Sequence, residues 1–264
     1  MSAPIAVVTG GSSGIGLATV RALAKKGCRV YELSRREAGA DCAIHLRADV
    51  TDEQSLLQAI EQVVAREGRI DILTCCAGYG ISGAVEFTTS EDAHRQLEVN
   101  FFGTVNACRA VLPIMRRQRS GRIVCISSVA AVVPIPFQAY YSVSKAAINA
   151  FVMALRSEVR PFGISVCAVM PGDIRTGFTA ARVKSQAGDD EYGGRISRSV
   201  AVMEHDEQTG MSPERAGSSI ARTALARCVP PLRAIGAKYQ LVHTASRLVP
   251  SALASRIIGC IYGK

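Results

Sequence analysis

The sequence predicts an α/β fold: one domain of 264 residues built as a doubly wound parallel sheet with helices on both faces. Three observations carry this. Short apolar runs of strand length alternate with longer stretches of helical character. A glycine-rich turn joins the first apolar run directly to a helix-forming stretch. No repeat, low-complexity tract or linker divides the chain.

Taken in order, Ile5 to Thr9 is a buried strand and lacks the basic start and cleavage site of a secretory leader. Gly10, Gly11, Ser12, Ser13, Gly14, Ile15 and Gly16 follow, then a helix from Leu17. Strand, glycine turn and helix form the context of a dinucleotide site. There the helix N-terminus offers unpaired N–H groups to a pyrophosphate. Arg29 to Leu33 is the second strand and Ala43 to Leu46 the third. Asp52 is placed to cap a helix running to Arg66. Ile70 to Thr74, Arg122 to Ser127 and Ile164 to Met170 are further strands. Helices are expected over Glu91 to Arg117 and from about Tyr141 to Val159.

The second strand ends at Ser34, followed by Arg35 and Arg36. An acid here would bond a ribose 2′-hydroxyl, whereas guanidinium groups suit a 2′-phosphate. The expected cofactor is therefore NADP(H), with Arg35 as the main phosphate ligand and Arg36 as a second.

Tyr141 and Lys145 lie one helical turn apart, so phenol and ammonium share a face. A neighbouring cation favours the phenolate and brings a tyrosine toward useful acid–base range.

These residues together resemble the short-chain dehydrogenase/reductases, over residues 4 to 235. The resemblance rests on the glycine turn, Asp49-Val50, Asn100, Ile126-Ser127-Ser128, the Tyr141/Lys145 pair and Pro171-Gly172-Asp173-Ile174-Arg175-Thr176. It implies a Rossmann-type fold and four catalytic residues. Tyr141 would be the general acid or base. Lys145 would depress its pKa and hold the nicotinamide ribose. Ser128 would hydrogen-bond the substrate oxygen, and Asn100 would hold a water linking Lys145 to solvent. Cofactor contacts carried over are Gly10, Ser12, Ser13, Gly14, Ile15, Gly16, Arg35, Arg36, Asp49, Val50, Ala77, Gly78, Asn100, Tyr141, Lys145, Pro171, Gly172, Ile174 and Thr176. One departure is Cys75-Cys76-Ala77-Gly78, where the family usually has asparagines before Ala-Gly.

The resemblance further implies that residues 178–211, polar and poorly periodic, form a lid over the substrate. Residues 79–90 and 129–139 would set specificity with it. The strongly apolar 129–139 segment points to a bulky, lipophilic alcohol or ketone, unless it packs on the core or a partner subunit. A hydroxysteroid-like substrate leads, by a loose likeness to steroid- and retinol-type members. A 3-oxoacyl-thioester reductase and a catalytically silent NADP(H)-binding sensor are the alternatives. Homodimers or homotetramers are typical of the family.

The net charge of +9 is concentrated at one end: no Asp or Glu follows Glu214, while eight Lys and Arg do. Residues 237–264 show helical apolar spacing on both sides of Pro250, with interspersed bases. This tail would touch an anionic membrane surface peripherally, cover the pocket or pack on a partner subunit. Without a recognition motif or an aromatic stripe, nucleic acid is not expected as a partner. Nine cysteines without a Cys-x-x-Cys pattern predict reduced thiols in the cytoplasm. Four scattered histidines predict no metal site.

Overall fold

A computed structural model describes residues 3–263. The first half alternates as expected: β1 (Ile5–Thr9), α1 (Gly14–Lys25), β2 (Arg29–Ser34), β3 (Ile44–Arg47), α2 (Glu53–Glu67) and β4 (Ile72–Cys75). A two-residue strand β5 (Ile81–Ser82) precedes α3 (Ser90–Leu97). One π-helical turn, Glu98–Phe102, joins α3 to α4 (Gly103–Gln118). Then come β6 (Gly121–Ile126), α5 (Ala139–Val159) and β7 (Ile164–Pro171). The last third holds α6 (Phe178–Ala181), β8 (Val183–Lys184), α7 (Arg195–Gln208), α8 (Pro213–Leu225), β9 (Leu232–Ile235), α9 (Ala237–Ala245) and α10 (Ser251–Tyr262).

The main sheet has seven parallel strands in the order β3-β2-β1-β4-β6-β7-β9. The winding direction reverses between β1 and β4, so their C-terminal ends open a crevice there. Both faces are covered. Leu56, Ile60, Val111, Met115, Ile148 and Val152 of α2, α4 and α5 bury one face. Val20, Leu23, Ile220 and Ala224 of α1 and α8 bury the other. Such double burial is why the central strands β1, β4 and β7 lack polar alternation.

Asp52 caps α2 as expected, accepting from Gln54 and Ser55 N–H. The expected helix over Glu91 to Arg117 is interrupted by the π turn, which places Asn100 inward and fully buried. The segment 178–211 is not structureless. It contains α7, whose buried Ile196, Ser199 and Met203 form a narrow stripe among polar residues, too sparse for periodicity to reveal. Strand β9 was equally hidden: Arg233 interrupts its apolar run, and it follows Pro230-Pro231. Pro250 separates α9 from α10, as the tail spacing predicts.

Candidate active site

Every expected cofactor contact except Asn100 lines one cavity of about 1300 Å³ at the C-terminal edge of the sheet. The glycine turn forms its floor. At Gly10, with φ +65°, a Cβ would stand 2.7 Å from backbone atoms of Ala77, and at Gly16 it would collide with the Gly10 carbonyl. Only glycine lets these segments nest closely enough for a pyrophosphate to reach the α1 N-terminus. The residues therefore fit a dinucleotide.

At the far edge, Ser34 lines the cavity, and its buried hydroxyl has no hydrogen-bond partner. Arg35 and Arg36 are exposed beside it. Arg36 Nη1 donates to the Ser12 carbonyl at 3.2 Å, tying this loop to the glycine turn. Asp49 Oδ1 accepts from both the N–H and the hydroxyl of Thr51.

Ser128 caps the short helical turn after β6, with its Oγ accepting from Ala130 N–H at 3.1 Å. Tyr141 and Lys145 project from the first turns of α5. Burial pushes the Tyr141 phenol up to about 12, while a hydrogen bond with Ser128 pulls it down. Glu207 and Asp173 add to the rise and Arg182 opposes it. The net shift is therefore upward, opposite to the expected depression by Lys145. The ammonium lies 5.7 Å from the Tyr141 ring centroid and donates to the Ile126 carbonyl at 2.8 Å. Burial lowers the Lys145 pKa from 10.5 to about 8.

Asn100 stands behind the cavity. Its Nδ2 donates to the Tyr79 carbonyl and to Ser144 Oγ, each at 3.0 Å, and its Oδ1 accepts from Tyr79 N–H. The side chain is thus engaged in fixing the 79 loop onto α5. It still borders Lys145 across Gly78, where a Cβ would stand 3.0 Å from Asn100 Oδ1 and 3.7 Å from Lys145 Nζ.

The remainder of the cavity is walled mainly by apolar groups: Val129, Val133 and Ile135, then Phe178, Met203, Val242, Ile258 and Ile261. These come from the 129–139 loop, the 178–211 segment and the tail, so all three border the space beside Tyr141. Phe137 adopts φ +58°, held by a hydrogen bond from Gly83 N–H to its carbonyl and by edge packing on Tyr192.

Two polar clusters had no motif to announce them. Arg182, its side chain fully buried, pairs with Glu207, which also accepts from Thr179 Oγ1 at 2.5 Å. Its guanidinium lies over Phe178, whose ring is 5.8 Å from that of Tyr141. His45 lies between Glu32, buried on β2, at 2.6 Å and the Arg36 carbonyl at 3.0 Å. It props the loop carrying the two arginines.

All nine cysteines are free thiols. Burial raises Cys76, beside the cavity, to about 12, which leaves it a poor nucleophile despite the opposing pull of Lys145. Cys75, Cys108 and Cys125, far apart in sequence, bring their sulfurs within 4.8 Å of one another in the core. This grouping was not foreseen from the cysteine spacing.

A glycine-floored crevice beside a Ser-Tyr-Lys grouping defines a dinucleotide-dependent oxidoreductase of Rossmann type. The short chain dehydrogenase family model matches residues 4–187. The chain belongs to the short-chain dehydrogenase/reductase family, whose members bind NAD or NADP and act on a carbonyl or alcohol. It is 41% identical over 251 residues, 94% of its length and 93% of the relative's, to a 3-ketodihydrosphingosine reductase of Bacteroides thetaiotaomicron. Human 17-beta-hydroxysteroid dehydrogenase type 1 is 34% identical over 67% of this chain and 59% of the relative. Among solved structures, a short-chain dehydrogenase from Streptomyces avermitilis superposes with a TM-score of 0.80. That structure is 31% identical, over 93% of this chain and 92% of the other.

Proposed function

We propose that the protein is an NADP(H)-dependent reductase that interconverts a ketone and a secondary alcohol on a lipophilic substrate. The observation that carries this is the convergence of Ser128, Tyr141 and Lys145 between a dinucleotide floor and a largely apolar cavity wall. The bound cofactor would supply a hydride to the carbonyl carbon. Negative charge then grows on the substrate oxygen, where Ser128 Oγ–H and Tyr141 Oη–H would donate. A phenol near 12 is protonated at neutral pH, which suits a proton donor in ketone reduction. Lys145 would hold the nicotinamide ribose and, with Asn100 beside it across Gly78, relay a proton through water back to Tyr141.

NADP(H) is favoured over NAD(H) by the partnerless hydroxyl of Ser34, by the arginines next to it, and by the absence of an acid at the strand end. The apolar wall and the 41% identical relative favour a long-chain ketone such as 3-ketodihydrosphingosine. A steroid ketone is the second reading, supported by the human relative. Residues 178–211 would serve as the lid. Exposed Phe102, Val143 and Met153 around α4 and α5 suit assembly into a homodimer or homotetramer.

The test is Tyr141→Phe. Turnover should fall by about a thousandfold while NADPH still binds, measured by initial rates and fluorescence titration. Turnover within about tenfold of the unsubstituted protein would remove Tyr141 as proton donor.

A further inference from the structure

We propose that α9 and α10 form a docking surface for an anionic lipid bilayer, from which a lipid ketone enters the cavity directly. The inference rests on the lipophilic-substrate reading above. Leu253, Ile257 and Ile261 recur every fourth residue along α10, and each is about half exposed. Leu241 and Leu248, on α9 and just after it, are 72% and 80% exposed. Five large apolar side chains in so short a segment exceed the scatter of single exposed residues normal on a monomer.

Charge narrows the occupant. Lys238, Arg247 and Arg256 are exposed within the same segment, which contains no acid. An isologous contact with a second copy of this face would set these bases against one another. Anionic headgroups would neutralise them, while the leucines and isoleucines enter the acyl boundary. No helix among the described residues is long and apolar enough to cross a membrane, so the segment would lie in the interface plane.

Position supplies the link to function. Ile258 and Tyr262, on the face of α10 next to the ridge, line the cavity, and Ile261 belongs both to the exposed ridge and to the cavity wall. Tyr262 Oη donates to Asp206 at 2.9 Å, and Arg195 Nε donates to the Gly263 carbonyl at 2.5 Å, which fixes α10 against α7. The ridge therefore runs to the rim of the cavity that Tyr141 also lines. A long alkyl chain leaving the bilayer there would pass from one apolar surface to another without crossing water.

The experiment is flotation of the purified full chain with vesicles of phosphatidylcholine, alone or mixed with phosphatidylglycerol. Binding to the mixed vesicles should exceed binding to the neutral ones by about tenfold and weaken with salt. The triple variant Leu248→Ser/Leu253→Ser/Ile257→Ser should lose it, and Arg247→Gln/Arg256→Gln should lose the preference for anionic lipid. Neither variant touches the cavity, so reduction of a short, water-soluble ketone should be unchanged in both. No binding, or equal binding by the parent and the triple variant, overturns the proposal. So does a triple variant whose lost binding accompanies dissociation of an oligomer in size-exclusion chromatography, which assigns the ridge to a subunit contact. Vesicle binding is read without turnover, so failed docking with intact ketone reduction, or the reverse, separates this proposal from the catalytic one.

Discussion

Lys145 shows how a single buried charge in the cavity bears on stability. Below pH 8 it is protonated in both the folded and the unfolded chain, and the folded state carries the cost of its burial. Between pH 8 and 10.5 the folded lysine is neutral while the unfolded one still binds a proton, so its contribution to stability rises with pH. Across that window the protein should gain about 3 kcal/mol relative to Lys145→Met, as measured by urea unfolding of both at each pH. Parallel pH profiles would show that the ammonium is not desolvated. At the cofactor edge, Arg35→Ala and Arg36→Ala should each weaken NADPH binding by about tenfold or more and leave NADH within about twofold. Equal losses for both cofactors would refute a 2′-phosphate site. Tyr141, Lys145, Ser128 and the arginines were legible in the sequence because each sits within a short motif. The Arg182–Glu207 and Glu32–His45 pairs were not, since 25 and 13 residues separate their members and only the folded backbone joins them.

At the scale of elements, what the sequence revealed followed length and burial. The central strands stood out because burial on both faces makes them near-continuous apolar runs, whereas the edge strand β3 was read from Ile44 and Leu46 alone. The two-residue strands β5 and β8 are too short to carry such a signal and pair over a long range, Ile81 with Val183, while β9 is broken by Arg233 after Pro230-Pro231. Yet β5 and β8 matter, because they fasten the start of the 178–211 segment to the loop after β4. The buried Arg182 at their junction is the second fastening. Arg182→Met would leave Glu207 without its cation in a mostly buried setting and should cost about 3 kcal/mol of stability. Adding Glu207→Gln should recover most of it. A double variant as unstable as the single one would show that the guanidinium matters through packing on Phe178 alone. Thermal unfolding of the parent and both variants distinguishes the two.

For the whole molecule, the design is a glycine-built dinucleotide floor joined to a wall assembled from the 129–139 loop, the 178–211 segment and the tail. The floor was legible because glycine geometry and strand-end chemistry are local. Of the wall, the three segments were legible as pocket-bordering stretches but not their elements, because α7, α9 and α10 draw their meaning from packing around one cavity. Family membership follows from residues 4–187, while the cavity wall draws both on that stretch, through Val129, Val133 and Ile135, and on Met203, Val242 and Ile258 beyond it. The measurement that tests the account most directly is the initial rate of ketone reduction by the intact protein. It compares 3-ketodihydrosphingosine, a steroid ketone and an acetoacetyl thioester, each with NADPH and with NADH. The account predicts turnover of a lipophilic ketone with NADPH strongly preferred, the long-chain ketone fastest. Reduction of the thioester alone, or equal rates with NADH, would contradict it.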